Sequence, residues 1–204
     1  MARPTPLTAV DEGHRLWTLG TSGEWIAGFD NRAMRIRNLT TGEVIPMPFT
    51  VRPMTFSIIG NDHFFFATTE GDVYRQHLET PDEEPEKYRM PSCGTLFIAK
   101  GNREGTFLLV PRRGARRDVI QFWRLDSPEP EPVNLTHDKN VVAVAISEDG
   151  SVAATTTVET TYLWDMTQAE PKPQRINGLR LAFSLELSND GSKLLVGTME
   201  GVLR

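Results

Sequence analysis

The sequence predicts an all-β protein built from copies of one antiparallel unit, and three observations support this. Within residues 142–146, valine and isoleucine alternate with alanine, which is the two-residue period of a strand with a buried face. Asp149-Gly150 follows with the turn chemistry of a tight hairpin. Two further β-rich runs, 151–158 and 161–164, complete the unit, and the unit then recurs along the chain.

The spacing of the copies predicts the architecture. The third strand of the unit is found at four places, with equivalent positions at Arg37, Gln76, Trp123 and Trp164. These positions are 39, 47 and 41 residues apart, and the Asp-Gly turns at 149 and 190 are 41 residues apart. Periods of about 40–45 residues with four strands each are typical of β-propeller blades. About five four-stranded antiparallel blades are therefore predicted within one domain, residues 1–204.

The blades follow one another in chain order. Blade one covers residues 15–49, with strands near 15–19, 24–29, 34–38 and 43–48. Blades two to five cover about 54–90, 94–135, 141–176 and 181–204. Blade five has leucine or phenylalanine at every second position of 181–187 and ends inside its third strand. Because one blade cannot bury both of its faces, the sheets are expected to stack on one another.

Four segments resemble the WD-repeat family. They are MRIRNLTTGE (34–43), SEDG (147–150), YLWD (162–165) and SNDGS (188–192). The resemblance implies a propeller whose blades are braced by a His, a Ser or Thr, an Asp and a Trp joined by hydrogen bonds. Blade four would supply His137, Thr156 and Trp164, but Val158 stands where the Asp belongs. Blade one has Gly13-His14 and Asp30, with Arg37 in place of the Trp, so the copies are divergent.

Two interpretations of the ends of the propeller remain open from the sequence. In one, residues 5–10 form the outer strand that closes a five-bladed ring against blade five. In the other, the five blades are part of a larger propeller, for example a seven-bladed one, completed by a further segment or chain. A strand that stops unpaired favours the second interpretation, because native proteins protect such edges.

Composition restricts the classes of partner and compartment. The net charge of −5 argues against binding to nucleic acid. Cys93 is the single cysteine, so neither an internal disulfide nor a zinc-thiolate cluster can form. The first residues, MARPTPLTAVDEGH, lack the apolar core of a secretion signal, and the longest apolar run, 141–146, is too short to cross a bilayer. We expect a cytoplasmic or nuclear protein that has no contact with membranes.

The motifs of common catalytic and cofactor sites do not occur in the sequence. It has no Gly-rich phosphate loop, Gly-x-Ser-x-Gly elbow, His-Glu-x-x-His helix or Cys-x-x-Cys pair. The histidines, His14, His63, His77 and His137, fall at strand positions that look unrelated, and His14 and His137 suit structural roles between blades. The sequence therefore predicts no catalytic residue, no cofactor and no metal site.

Charge is predicted to differ between the two edges of the propeller. Acidic, proline-rich segments at 80–86, 127–132 and 169–173 occupy the connections between third and fourth strands, which all emerge on one edge. The opposite edge is predicted to be basic. Its cations are the hairpin residues Arg112, Arg113, Arg116 and Arg117, with Arg32, Arg52, Lys139 and Arg180 in neighbouring loops.

The lack of catalytic motifs and the two oppositely charged edges together predict a non-catalytic scaffold for protein–protein interaction. The basic edge would bind an acidic or phosphorylated peptide through guanidinium contacts. The WD-repeat resemblance implies the same use, since that family holds protein partners at the edge and central mouth of the ring. The alternative is an enzyme or small-ligand domain with its site at the axial mouth, which would require titratable groups to converge there.

Overall fold

The structure of the chain is a computed structural model. It describes residues 16–19, 24–29, 34–46, 55–59, 62–68, 70, 72–90, 94, 99–112, 114, 117–127, 130–179 and 182–199. In these ranges every regular element is a β-strand, and the described part of the chain has no helix long and apolar enough to cross a membrane.

The strands form five sheets in chain order. The first sheet contains β1 (Leu16–Leu19), β2 (Trp25–Phe29), β3 (Met34–Asn38) and β4 (Val44–Pro46). The second contains β5 (Thr55–Ile59), β6 (His63–Ala67), β7 (Asp72–His77) and β8 (Glu86–Arg89). The third contains β9 (Lys100–Gly101), β10 (Phe107–Pro111), β11 (Val119–Arg124) and β12 (Val133–Thr136). The fourth contains β13 (Val141–Ile146), β14 (Val152–Thr157), β15 (Thr161–Asp165) and β16 (Pro173–Ile176), and the fifth contains β17 (Ala182–Leu187) and β18 (Leu194–Thr198).

Within each described sheet, every strand pairs antiparallel with the next one in sequence, so the four-stranded sheets are up-and-down meanders and β17 and β18 form a hairpin. The predicted all-β fold class of four-stranded antiparallel units is confirmed. The proposed closing strand at 5–10 and the third strand at 201–204 lie outside the described residues.

The apolar core is divided into four layers, one between each pair of consecutive sheets. The three phenylalanines of β6 show how this arises. Phe64 and Phe66 pack with Trp25 and Ile36 of the first sheet, whereas Phe65 packs with Leu108 of the third sheet. All three phenylalanine rings are at most 1% exposed. Because strand side chains alternate between faces, a sheet with apolar residues at consecutive positions must be covered on both sides.

The turn between the first two strands of a sheet has the same chemistry in the fourth and fifth sheets. Asp149 Oδ1 accepts hydrogen bonds from the Ser147 hydroxyl at 2.7 Å and the Ser151 backbone N–H at 2.9 Å. Asp190 repeats this arrangement with Ser188 and Ser192. These hydrogen bonds hold the pKa of both carboxyls below the ordinary value, to about 2 for Asp190. The Ser-x-Asp-Gly-Ser motif is therefore a self-contained turn.

Candidate functional site

Among the described residues, the cations of the predicted basic edge lie in two neighbouring connections, one between β10 and β11 and one between β12 and β13. The Arg117 backbone N–H donates to Asn140 Oδ1 at 3.1 Å. The Arg117 carbonyl accepts a hydrogen bond of 2.8 Å from the Val141 backbone N–H. These two bonds tie the arginine hairpin of the third sheet to the loop that enters the fourth sheet.

The structure describes three of the eight cations predicted for this edge. Arg112, Arg117 and Lys139 are exposed. The other five, Arg113, Arg116, Arg32, Arg52 and Arg180, lie outside the described residues. Lys139 Nζ lies 3.5 Å from Glu159 Oε1, in the turn between β14 and β15. Asp138, beside Lys139, accepts a hydrogen bond of 3.1 Å from the Tyr162 hydroxyl. The described part of the edge therefore mixes arginine and lysine with carboxylates.

The opposite edge carries the acidic connections. The segment between β7 and β8 presents exposed carboxylates at Glu79, Asp82, Glu83 and Glu84. The turns between first and second strands emerge on the same side, because alternate connections of a meander share an edge. They add Asp62 and Glu104, so negative charge gathers around the second and third sheets.

A hydrogen-bonded chain of three side chains braces the fourth sheet. The Trp164 indole N–H donates to Thr155 Oγ1 at 2.8 Å, and the Thr155 hydroxyl lies 2.7 Å from His137 Nε2. His137 Nδ1 lies 3.2 Å from the Asp118 backbone carbonyl in the third sheet. Since a carbonyl only accepts, Nδ1 carries the proton and Nε2 accepts from Thr155. The three hydrogen-bonded side chains thus link the third and fourth sheets through a neutral imidazole.

The position of the threonine differs from the sequence prediction, which named Thr156. Ala153 is the cross-strand partner of Trp164, so Thr155, two residues further, shares the face of the indole. Thr156 points to the other face, where its hydroxyl contacts Thr161 Oγ1 at 3.0 Å. The prediction was wrong by one residue, and a shift of one residue in a strand moves a side chain to the opposite face.

His137 confirms the structural role predicted for it. Burial lowers the pKa of its imidazole below the ordinary value of 6.5, and the hydrogen bond to the Asp118 carbonyl opposes this shift. His14, the other histidine given a structural role, lies outside the described residues.

A second polar cluster lies on the acidic edge, in the second sheet. His63 on β6 and His77 on β7 are direct cross-strand partners. Asp62 contacts both, with Oδ1 at 3.0 Å from His63 Nδ1 and Oδ2 at 3.0 Å from His77 Nε2. One ligand atom from each of the three residues lies within 4.8 Å of the others. The interpretation that the histidines occupy unrelated positions was therefore wrong for these two.

Two buried ring nitrogens of the cluster lack a hydrogen-bond partner among the described residues. His63 Nδ1 and His77 Nδ1 are shielded from solvent, and neither makes a hydrogen bond within the described structure. The His63 Nδ1 contact with Asp62 is thus close but poorly aligned. Burial is the main reason that the pKa of His63 lies below its ordinary value, and the Asp62 carboxylate opposes this shift. A neutral imidazole at this position keeps a lone pair for a proton or a metal ion.

A cavity of about 70 Å³ borders the cluster. Its lining comprises His63, Arg75, Gln76, His77, Glu83, Glu84 and Glu86. Arg75 Nη2 is 2.6 Å from Glu86 Oε2, and Arg75 Nη1 donates to the Gly105 carbonyl at 2.7 Å. The arginine is therefore held in an ion pair, and the carboxylates outnumber the cations around this cavity.

The sequence contained information that would have placed the two histidines together. In the sequence, the apolar run at 64–67 and the predicted third strand of blade two near Gln76 lie on either side of residues 68–72. In an antiparallel hairpin, residues equally distant from the turn are partners, which pairs position 63 with position 77. The exact register needed for this step comes from the turn, in which the Thr68 backbone N–H donates to the Asp72 carbonyl at 2.9 Å.

Comparison with known proteins supports the fold and leaves the family open. No protein-family model matches the chain, and no curated protein sequence is significantly similar to it. Its structure is similar to the crystal structure of the β-propeller domain of Cps50 (Swd1) from Myceliophteria thermophila, with a TM-score of 0.61 and 15% sequence identity. The matched region covers 88% of this chain and 64% of that domain. At this identity the likeness shows the fold alone. The chain has a β-propeller architecture, open or partial, and spans less than two thirds of the length of that domain.

Proposed function

We propose that the chain is a non-catalytic interaction scaffold that binds an acidic or phosphorylated peptide segment on its arginine-bearing edge. The observation that carries this proposal is the pair of backbone bonds that join Arg117 to Asn140 and Val141. They hold the connection that carries Arg112 and Arg117 beside the loop that carries Lys139, so the exposed cations of two adjacent connections share one edge.

The physical chemistry of this edge suits oxyanions. A guanidinium presents a planar set of donors that matches a carboxylate or phosphate with two parallel hydrogen bonds. Arg112 and Arg117 are both exposed, and neither has an ion-pair partner among the described salt bridges. The chain forms one propeller domain in this proposal, or part of a larger propeller, and the stacked sheets give its loops a rigid base.

A charge-reversal experiment with synthetic peptides tests the proposal. The probes are a glutamate-rich peptide, the same peptide with phosphoserine, and a neutral version, each measured by fluorescence anisotropy. The double variant R112E/R117E should weaken phosphopeptide binding at least about tenfold, and binding by the unaltered chain should weaken as salt rises from 0.05 to 0.3 M.

A matched control distinguishes the arginine edge from overall charge. The double variant K172E/K193E makes the same change in net charge at two exposed lysines on the opposite edge. We expect it to retain the affinity of the unaltered chain. Equal losses in the two variants, or no preference for the charged peptides over the neutral one, would contradict the proposed surface.

A further inference from the structure

We infer that Asp62, His63 and His77 form a binding site for one divalent transition-metal ion of the kind that imidazole favours, such as Zn²⁺. The site lies on the acidic edge, opposite the arginine-bearing edge. It is therefore independent of the peptide surface proposed above.

The donor set and its spacing support this inference. Two imidazole nitrogens and one carboxylate are a common set of three protein ligands for zinc. Ligands about 2.1 Å from an ion can be at most about 4.2 Å apart. The three candidate ligand atoms already lie within 4.8 Å of one another. The largest separation would have to shorten by no more than about 0.6 Å to reach this limit.

The fold holds the ligands on a rigid base. His63 and His77 are cross-strand partners on two central strands of the sheet, and Asp62 precedes His63 in the chain. The ring of His63 is also covered by the neighbouring sheet, because a Cβ added at Gly105 would come within 2.8 Å of it. Of the three side chains, His77 is the most exposed, at 39%, so an ion could enter from that side.

The ring nitrogens left unpartnered within the described structure and the surrounding charge favour a cation. His63 Nδ1 approaches a carboxylate oxygen at 3.0 Å without a hydrogen bond, an arrangement that an intervening cation would stabilise. The adjoining cavity is lined by Glu83, Glu84 and Glu86, while its arginine, Arg75, is paired with Glu86. Three protein ligands leave at least one coordination position for water or a further donor.

Titration of the metal-free, full-length chain with Co²⁺ and Zn²⁺ tests the site. The C93S background removes the single thiol of the chain, which would otherwise compete for these ions. We expect one equivalent of Co²⁺ to give visible ligand-field bands that Zn²⁺ displaces, with a Zn²⁺-dependent rise in Tm. D62N and H77Q should each weaken binding at least about tenfold, because removing a ligand should cost no less than removing its supporting partner. H14Q, which removes a histidine that is not one of the three proposed ligands, should bind as the background does.

A second measurement tests the proposed metal site even if the variants fail to fold. Histidine side-chain ¹H–¹⁵N spectra of the unaltered chain identify which ring nitrogens bind the ion. Zn²⁺ should shift one nitrogen each of His63 and His77 and leave His137 unchanged. Absence of stoichiometric binding, shifts confined to His14 or His137, or full affinity in folded D62N and H77Q would overturn the inference.

Discussion

Replacing Thr155 by valine tests the hydrogen-bonded chain of the fourth sheet. The two side chains have nearly the same shape, so the change removes a hydroxyl without opening a cavity. Thr155 is fully buried, and its hydroxyl serves both the Trp164 indole N–H at 2.8 Å and His137 Nε2 at 2.7 Å. A buried group that loses its only partner costs about 1–3 kcal/mol. With two such groups, T155V should lower the free energy of unfolding by about 2–6 kcal/mol.

T156V is the matched control because it makes the same chemical change one residue away on the opposite face. The Thr156 hydroxyl donates to the Thr157 carbonyl at 3.0 Å and contacts Thr161 Oγ1, so its loss leaves no ring nitrogen unpaired. Its loss leaves one buried hydroxyl, that of Thr161, without its described partner, so we expect a smaller cost of about 1–3 kcal/mol. Urea unfolding followed by circular dichroism gives both values.

The indole N–H resonance of Trp164 supplies an independent readout. Its chemical shift should change in T155V, which removes the hydrogen-bond acceptor, and should stay the same in T156V. Thermal melts should show a midpoint lower by about 2–4 °C for each kcal/mol lost, as expected for a domain of this size. Equal destabilisation by the two variants, or an indole resonance that responds to T156V alone, would refute the assignment of Thr155.

Two further predictions concern a glycine turn and a buried histidine. Gly150 has a φ of +69°, and a Cβ there would lie 2.7 Å from the Phe107 ring, whereas Gly178, with a φ of +80°, has open space around it. Backbone strain should destabilise both alanine variants by about 1 kcal/mol. In urea unfolding, the free energy of unfolding of G150A should fall by at least about 1 kcal/mol more, because its Cβ meets the Phe107 ring. Equal losses in the two variants would contradict this contact. His137 has a lowered pKa, so the unfolded chain binds more protons than the folded chain below pH 6.5. Its contribution to stability should be complete above that pH and decline as the pH falls below 6.5. H137Q should show a shallower decline, and an unchanged slope would contradict the buried neutral imidazole.

The two-residue period and the 39–47-residue spacing were enough to predict the strands. The period is a property of one strand, and the spacing is a property of neighbouring repeats. Both follow from which residues each strand has to bury, so both can be read from the sequence. The predicted strand at 34–38 corresponds to β3, Met34–Asn38, and the predicted apolar run 141–146 corresponds to β13, Val141–Ile146. The Asp-Gly turns were predictable for the same reason, since their hydrogen bonds lie within five residues.

The side-chain groupings needed more than local pattern. Whether Thr155 or Thr156 meets Trp164 depends on the exact register of β14 against β15. The charge of the arginine-bearing edge depends on which loops of adjacent sheets touch, and that contact brings Glu159 to Lys139. Neither of these side-chain pairings can be predicted from the spacing of residues along the chain.

The amino-acid sequence by itself determined that this protein is made of stacked antiparallel sheets, because hydrophobic alternation and turn residues specify each strand and hairpin. Only the tertiary structure decided that Asn140 reaches Arg117 of the neighbouring sheet and that His137 meets both Asp118 and Thr155. Cross-strand register and sheet stacking bring distant residues together, and both are settled by packing between elements that lie far apart in the chain.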